Sequence, residues 1–413
     1  MIRALAFLYL LTVGWSALRL GSVTIFDVAS MALLPVLAVS WQQRGSRQLA
    51  NPALVRVAVL SGTLIALGTM LSALVATAVV EHVIKGLLIA ASLTVTAMNL
   101  ALLLSTEALT PRQAVWAVFA SAAVHSFVAI LQDRLGLFMG LTGEVKLQDW
   151  MRATGLMNHP IEAGIFSAVG VVLGCFLLFE ARRVSASGAA ILAGTAMCLC
   201  SLTASASLTA TLTLGAALAA QFVVSRKVAL LSVLLPLAVL GGVLLLGASQ
   251  DNRLVERLQT LSRQGSAYGT VQARDDQIET AMRRITLRSF LVGLSFDPRT
   301  TPQGLDIHNG IVAMDYYFGV LGLTGQAGLI AYLAWRIRRQ RWAPVQGAFL
   351  AVFVLFLAAY MTGPTYSRRS MWVPVLLFAA MPVLVRDPSS RSAGDGAVRR
   401  ARPGGESLLT AGA

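Results

Sequence analysis

Residues 345–362 read VQGAFLAVFVLFLAAYMT, a continuous apolar stretch that contains no charged side chain. A helix needs about 20 mostly apolar residues to cross the hydrocarbon core of a bilayer, so this stretch has the length and composition of a membrane span. Similar stretches recur along most of the chain. Because they do not alternate between apolar and polar residues, they favour membrane helices over a spanning β-barrel.

The composition of the whole chain agrees with this interpretation. Apolar residues make up 56% of the 413 positions and charged residues only 13%, whereas soluble domains carry roughly 25% charged residues. A soluble domain needs a more polar surface, and a disordered chain contains far fewer apolar residues. The sequence therefore predicts an all-α polytopic membrane protein.

The apolar stretches predict about 12 membrane helices. They lie at about 4–18, 24–41, 55–75, 84–104, 114–131, 160–179, 188–203, 207–224, 228–247, 316–335, 345–362 and 371–385. The first resembles a signal peptide, but no clean cleavage site precedes Arg19 and further spans follow, so we interpret it as an anchor. The expected organisation is an N-terminal bundle of about nine spans over 1–248 with an outer loop at 132–159, a large outer loop over 249–315 with amphipathic helices, C-terminal transmembrane helices over 316–385, and a disordered cytoplasmic tail over 386–413.

The charge of the chain predicts its orientation in the membrane. A net charge of +14 arises from 33 basic and 19 acidic residues. Arg and Lys collect in the cytoplasmic loops of membrane proteins, so we attribute this charge to topology and expect no nucleic-acid partner. The basic clusters fall in alternate loops: Arg44 and Arg47, Arg182 and Arg183, Arg226 and Lys227, and Arg336, Arg338, Arg339 and Arg341. Both termini are therefore predicted to be cytoplasmic, and the long loops to face the opposite side.

Metal and disulfide chemistry are not expected. The three cysteines lie inside apolar stretches, and the four histidines form no metal-binding motif. Asp297, Asp306 and Asp315 in the outer loops form no tight acidic group that would hold magnesium. We therefore predict no metal and no cofactor.

Residues 274–291 of the large outer loop follow a helical pattern. At 100° per residue, one stripe contains Arg274, Ile278, Met282, Ile285 and Arg288. This pattern predicts one continuous amphipathic helix, with Glu279 and Arg283 paired on the opposite side. Arg274 and Arg288 would stand about 21 Å apart, too far to share one diphosphate unless the helix breaks. The alternative is an interfacial helix whose arginines reach lipid headgroups.

Two further polar segments directly precede predicted spans. Residues 150–160 read WMRATGLMNHP and offer Arg152, Asn158 and His159 at the mouth of a helix. Residues 306–310 read DIHNG and precede the span at 316–335. Such residues can place guanidinium, amide and imidazole groups at the membrane surface, and ordinary capping of the next helix is the alternative.

Taken together, these pieces resemble the superfamily of O-antigen ligases and Wzy-type polysaccharide polymerases. The likeness covers roughly residues 110–340. It rests on the order and spacing of a polytopic chain with one large late outer loop, Arg152-Ala153-Thr154-Gly155 with Asn158, Arg274 and Gly293 in the loop, and His308-Asn309 before Gly319-Val320-Leu321-Gly322.

The resemblance implies a glycosyltransferase of the bacterial inner membrane. Members move a glycan from undecaprenyl diphosphate to a sugar hydroxyl on the periplasmic side, without a metal. The implied partners are this lipid-linked donor, a glycan or lipid A core as acceptor, the lipid bilayer and a chain-length regulator. We favour a polymerase of a surface or exported polysaccharide, and an O-antigen ligase is the alternative. A multi-span transporter or flippase of lipid-linked glycans, or a membrane scaffold, would belong to another class.

Carried onto this chain, the resemblance assigns catalysis to Arg152, Arg274 and His308. It assigns substrate binding to residues near them: Arg288, Arg299, Asn309, Asn158, His159 and Asp306. Arginine suits a departing diphosphate because it stays protonated and binds phosphate through two parallel hydrogen bonds. His308 would act as the general base in one inverting displacement, or bind a phosphate as an imidazolium. Many relatives carry a Ser-Arg pair after span seven, where this chain reads LTASAS at 202–207, so Arg288 or Arg299 would replace that arginine.

Overall fold

The computed structural model describes most of the chain. The described residues are 1–20, 23–45, 49–76, 78–138, 153–157, 159–181, 186–225, 259–260, 262–263, 269–294, 307, 309–363 and 369–383. Within these ranges, 8 helices are long and apolar enough to cross a membrane, and shorter apolar helices accompany them. The prediction of an all-α polytopic membrane protein is confirmed.

The structure describes 13 α-helices within these ranges. They are α1 (Ile2–Leu11, continued by a 3-10 turn at Thr12–Gly14), α2 (Ile25–Gln43), α3 (Pro52–Ala73), α4 (Val79–Ser105), α5 (Pro111–Leu135), α6 (Pro160–Ala181), α7 (Ala186–Ala204), α8 (Leu208–Val224), α9 (Gly269–Arg284), α10 (Leu287–Val292), α11 (Gly310–Arg339), α12 (Ala343–Thr362) and α13 (Arg369–Ala380). A small antiparallel hairpin, Arg19–Leu20 with Val23–Thr24, joins α1 to α2. Every predicted span overlaps one of these helices except 228–247, which lies outside the described residues, as does the predicted tail at 386–413.

The helix ends follow from capping residues in the sequence. Thr24 Oγ1 accepts a hydrogen bond from the Asp27 backbone N–H (3.2 Å), and Asp27 Oδ2 accepts one from the Thr24 N–H (2.8 Å). Thr110 and Gln113 form the same reciprocal box at the start of α5. These side chains satisfy donors that the first helical turn leaves without a partner. Asp27, an acidic residue inside a predicted span, is therefore a helix cap.

The helices pack around one continuous apolar core. Helix α6 is almost wholly buried and contacts α5, α7, α8 and α12, so it lies at the centre of the bundle. Helix α11 packs along α3, and α3 packs along α4. The loop helices α9 and α10 contact α11 near its N-terminal end. This arrangement places the described part of the large loop against one end of the bundle.

A buried arginine ties three helices together at the opposite end of α11. The Arg336 guanidinium donates to the carbonyl oxygens of Ala379 (3.2 Å) and Met381 (2.6 Å), where α13 ends. Asn51, at the start of α3, also donates to the Ala379 oxygen (2.7 Å). The sequence treated Arg336 only as a marker of a cytoplasmic loop, but its side chain is 6% exposed. It satisfies the carbonyls that a helix C-terminus leaves without intrahelical partners.

Replacing Arg336 with Met is therefore expected to destabilise the protein. The substitution leaves the Met381 carbonyl without its donor, which typically costs roughly 1–3 kcal/mol for a buried group. The unfolding midpoint of the detergent-solubilised protein should fall. Arg338→Met is the matched control, because Arg338 lies two residues further along the same helix and is exposed. This variant should leave the midpoint unchanged. Equal midpoints for the two variants would contradict this role.

The loop helix predicted over 274–291 is in fact broken. Helix α9 ends at Arg284, and α10 begins at Leu287. Thr286 starts the second helix, because its Oγ1 accepts from the Ser289 N–H (3.3 Å) while Ser289 Oγ accepts from the Thr286 N–H (2.7 Å). This local capping competes with continuation of the first helix. The prediction of one continuous helix is wrong for that reason.

The buried stripe of α9 also differs from the predicted one. Ala281 is fully buried and Ile285 packs against the core, whereas Met282 is 57% exposed. Arg288, beyond the break, is exposed as well. A stripe extrapolated through the break assigned both of these residues to the wrong side. The predicted pair on the opposite face is confirmed, since Arg283 Nη2 lies 2.5 Å from Glu279 Oε1.

Candidate functional site

The predicted site residues fall into two groups. The residues that lie outside the described part of the chain are Arg152, Asn158, Arg299, Asp306 and His308. The described ones are His159, Arg274, Arg288 and Asn309. The geometry of the site is therefore built from these four residues and from the segments that flank the others.

The turn at 153–157, directly after Arg152, is buried and held by a side chain of α5. Gln132 Oε1 accepts hydrogen bonds from the backbone N–H groups of Thr154 (3.1 Å) and Gly155 (2.7 Å). Gln132 Nε2 donates to the Gly155 carbonyl oxygen (3.0 Å). One amide side chain thus satisfies three backbone groups of the turn, which would otherwise be costly to bury.

His125, also on α5, forms a hydrogen bond to the same turn. Its Nδ1 accepts from the Leu156 N–H (3.1 Å), so a neutral ring carries its proton on Nε2. Gly155 has φ +59°, and a Cβ there would lie 2.5 Å from His125 Cε1 and 2.8 Å from the His125 carbonyl oxygen. Only glycine combines this left-handed backbone with such a close approach. The glycine of the RATG segment is therefore required for packing.

Two backbone hydrogen bonds connect this turn to other parts of the bundle. The Ala153 N–H donates to the Ala204 carbonyl oxygen (3.2 Å) between α7 and α8, and the Ala17 N–H donates to the Leu156 carbonyl oxygen (2.9 Å). The turn is consequently anchored to three separate segments. The described part of the RATG segment therefore has a fixed place in the bundle.

Sequence reasoning missed His125 and Gln132 as supports of this turn. His125 lies inside the predicted span 114–131 and Gln132 directly follows it, and neither was predicted to have a structural role. Their spacing could have identified them. Residues seven apart lie two helical turns apart and share one helix face, and polar groups within a span usually face a polar partner.

Gln132→Leu is expected to loosen the turn. The substitution removes three hydrogen bonds and leaves buried backbone groups unsatisfied, which should lower the free energy of unfolding by roughly 1–3 kcal/mol. Thermal unfolding in detergent measures the change. Arg134→Gln, at an exposed neighbouring side chain, is the control and should behave like the wild type. A Gln132→Leu protein with an unchanged midpoint would mean that the turn does not depend on this side chain.

His159 and Asn309 both cap the helices that they precede. His159 Nδ1 accepts from the Ile161 N–H (3.2 Å) at the start of α6. Asn309 Oδ1 accepts from the N–H groups of Ile311 and Val312 (3.1 Å each) at the start of α11. The capping interpretation is confirmed for these two residues.

The loop helix α10 and the long helix α11 meet through their backbones. Gly319 interrupts α11 with φ 62° and ψ −165°. A Cβ at Gly319 would lie 2.7 Å from the Gly293 nitrogen, and a Cβ at Gly293 would lie 2.7 Å from the Tyr317 carbonyl oxygen. The Leu294 N–H donates to the Tyr316 carbonyl oxygen (2.6 Å), which in an unbroken helix would accept from Val320. The contact therefore joins the loop to the kink of α11.

A buried carboxyl group lies between Asn309 and this kink. Asp315 is 7% exposed, and its Oδ1 makes no hydrogen bond to any described residue. A buried polar atom without a partner is costly, so such atoms often mark a place where a ligand or ion completes the bonding. Sequence reasoning considered Asp315 only as a metal ligand. The described residues contain no group of His, Cys, Asp or Glu that could hold a metal ion.

A second polar pair lies on the other side of the kink. His82 Nε2 lies 2.6 Å from Ser72 Oγ, and the His82 ring lies 6.4 Å from the Phe318 ring. Ser72 Oγ also donates to the Gly68 carbonyl oxygen (2.8 Å), so His82 Nε2 is the donor to Ser72 in a consistent arrangement. This pair joins α3 to α4 directly beside the interrupted part of α11. The sequence analysis did not identify it.

The fold thus defines a multi-pass helical membrane protein. The buried turn at 153–157 and the Gly293–Gly319 contact hold the described parts of the predicted site segments in place. No protein-family model matches the chain, and no curated protein matches it. The resemblance to O-antigen ligases and polymerases therefore rests on the residues quoted from the sequence.

Proposed function

We propose that this protein is a metal-independent glycosyltransferase that polymerises a surface or exported polysaccharide from undecaprenyl-diphosphate-linked glycans. The observation that carries the proposal is the backbone contact between Gly293 and Gly319. This contact joins two of the sequence segments on which the resemblance rests, namely the loop that contains Arg274 and the helix that follows His308-Asn309. The buried turn beside Arg152 supports the proposal, because it gives the remaining segment a fixed position.

The proposed topology has about 12 spans with both termini in the cytoplasm of a bacterial cell. The 8 long apolar helices and the shorter helices α1, α8 and α13 support this number. The loop at 249–315 would then face the periplasm, where the lipid-linked donor presents its glycan. The diphosphate of the donor would lie at headgroup depth, at the same level as the outer ends of the helices.

The proposed reaction is a single inverting displacement. The acceptor hydroxyl oxygen attacks the anomeric carbon, and the bond from that carbon to the diphosphate oxygen breaks. The hydroxyl proton passes to His308, and the electron pair of the broken bond remains on the diphosphate. Arg152 and Arg274 stabilise the charge that develops there, with Arg299 as a further phosphate ligand.

The break in the loop helix removes the fixed separation that a straight helix would impose on Arg274 and Arg288. A straight helix would have held Arg274 and Arg288 too far apart to share one diphosphate. They lie instead on separate helices, α9 and α10. Arg274 is half-buried and Arg288 is exposed, which favours Arg274 as the residue that contacts the reacting diphosphate.

Analysis of the glycans made by a deletion strain tests the function. Loss of long chains, with single repeats still attached to lipid A core, supports the polymerase. Long chains that remain on undecaprenyl diphosphate identify an O-antigen ligase instead. Transport of labelled lipid-linked glycan by the reconstituted protein, without any acceptor, identifies a flippase and contradicts the proposal.

A further inference from the structure

The short loop helix α10 presents an apolar face away from the protein. Leu287 is 78% exposed, Phe290 37% and Leu291 51%. Residues at positions i, i+3 and i+4 share one side of a helix, so these three side chains form a single patch. The opposite side of α10 is occupied, because Ser289 is buried and the helix packs against α11. The patch therefore faces away from α11, towards the environment of the loop.

The surroundings of this patch are strongly basic. Arg284 is the last residue of α9 and Arg288 lies on α10 itself, and both are exposed. Arg283 is exposed as well and pairs with Glu279. Residues 280–294 contain no Asp or Glu. An apolar face bordered by arginines is complementary to anionic phospholipid, whose phosphates lie beside its acyl chains.

The depth of α10 along the bundle agrees with a lipid environment. Leu294 is hydrogen-bonded to Tyr316 beside the Gly319 kink, and beyond that kink α11 continues for 20 residues, 320–339, to the row of arginines. At 1.5 Å per residue this corresponds to about 30 Å, which is the approximate thickness of the hydrocarbon core. If the row of arginines at the end of α11 marks one boundary of the bilayer, α10 lies at the other boundary.

We propose that α10 is a lipid anchor for the large loop. Leu287, Phe290 and Leu291 enter the acyl region of the adjacent leaflet, and Arg284 and Arg288 bind the phosphates of anionic phospholipids. The bilayer then holds the outer side of α10 while the Gly293–Gly319 contact holds its inner side. This inference does not depend on glycan transfer, since it rests only on exposure, charge and depth.

The experiment uses the full-length protein in vesicles. Leu287→Cys and Asp276→Cys, the latter at an exposed position on α9, are each labelled with bimane. The wild type is labelled in parallel as the background from the native cysteines, of which Cys175 and Cys198 are buried. Emission is recorded in vesicles of phosphatidylglycerol that contain brominated lipid, and iodide is the aqueous quencher.

The proposal predicts a blue-shifted emission for Leu287→Cys that brominated lipid quenches and iodide does not. Asp276→Cys should show the reverse. Quenching of Leu287→Cys by iodide alone would place the patch in water and overturn the proposal. Protection from both quenchers would mean that a protein surface covers the patch, which would overturn it as well.

The arginine part of the proposal has its own comparison. Quenching of Leu287→Cys by brominated lipid should be weaker in vesicles of phosphatidylcholine, and added salt should weaken it in phosphatidylglycerol. Arg284→Gln combined with Arg288→Gln should remove the difference between the two lipids. Equal quenching in both lipids for the protein with its arginines intact would contradict phosphate binding.

Discussion

Replacing Arg274 with Ala is expected to lower the rate of the proposed glycan transfer by about two to three orders of magnitude. Arg274 is half-buried on α9, which packs against α11. A fixed guanidinium aimed at a departing diphosphate stabilises charge that exists only in the transition state, so the loss should appear in kcat more than in KM. Turnover of a purified lipid-linked donor measures it.

Two further variants separate charge from geometry at this position. Arg274→Lys keeps the positive charge but loses the planar fork that binds two phosphate oxygens, so it should restore activity only in part. Arg283→Ala, on the opposite face and paired with Glu279, should turn over donor at the wild-type rate. Wild-type turnover by both Arg274→Ala and His308→Ala would show that the site assignment is wrong.

Replacing Gly319 with Ala is expected to separate the large loop from the bundle. The added Cβ would lie 2.7 Å from the Gly293 nitrogen and the Leu291 oxygen, and these backbone atoms cannot rotate away. The backbone at Gly319, with φ 62° and ψ −165°, is also one that only glycine adopts easily. Strain of roughly 1–3 kcal/mol therefore adds to the steric clash. The unfolding midpoint should fall, and proteolysis within 269–294 should become faster.

A glycine on the same helix provides the control for this experiment. A Cβ added at Gly328 would meet no atom within 4 Å outside its own stretch of helix. Gly328→Ala should therefore leave both the midpoint and the proteolysis rate unchanged. Gly293→Ala should resemble Gly319→Ala, because it introduces the same clash from the other side. If Gly319→Ala instead behaved like Gly328→Ala, the two backbones would not be in contact in the membrane.

Within the described residues, the positions of the apolar helices could be predicted from the sequence, although several ends differ by five or six residues, as at α11, which begins at Gly310 and not at 316. A span requires a run of apolar residues, and capping residues such as Thr110 and Asn309 act on backbone groups within the same turn. Both properties are local, so they are visible in a linear pattern. The i,i+4 pair of Glu279 and Arg283 was predictable for the same reason.

The loop helix predicted over 274–291 is where helical periodicity gave a wrong prediction. Helical periodicity alone continued the helix through Ile285 and Thr286, although the Thr286–Ser289 box starts a new one. The pattern also assigned Met282 to the buried side, whereas Ala281 is the residue that packs inward. Which side of an amphipathic helix is buried depends on the surface against which it packs, and that surface was not part of the pattern.

The site segments illustrate the same limit. The RATG segment was recognisable, but its supports Gln132 and His125 come from a span that carries no matching motif. The glycines at 293 and 319 were noted separately, and only the structure brings their backbones together.

By itself, the sequence determined that this chain is a helical membrane protein, approximately where most of its described helices lie, and which polar segments lie between them. The tertiary structure alone decided which of those segments meet, that Arg336 is buried, and that a carboxyl oxygen of Asp315 has no partner among the described residues. The reason is that hydropathy and capping act over one or two helical turns, whereas contacts such as that of α10 with α11 depend on how whole helices pack.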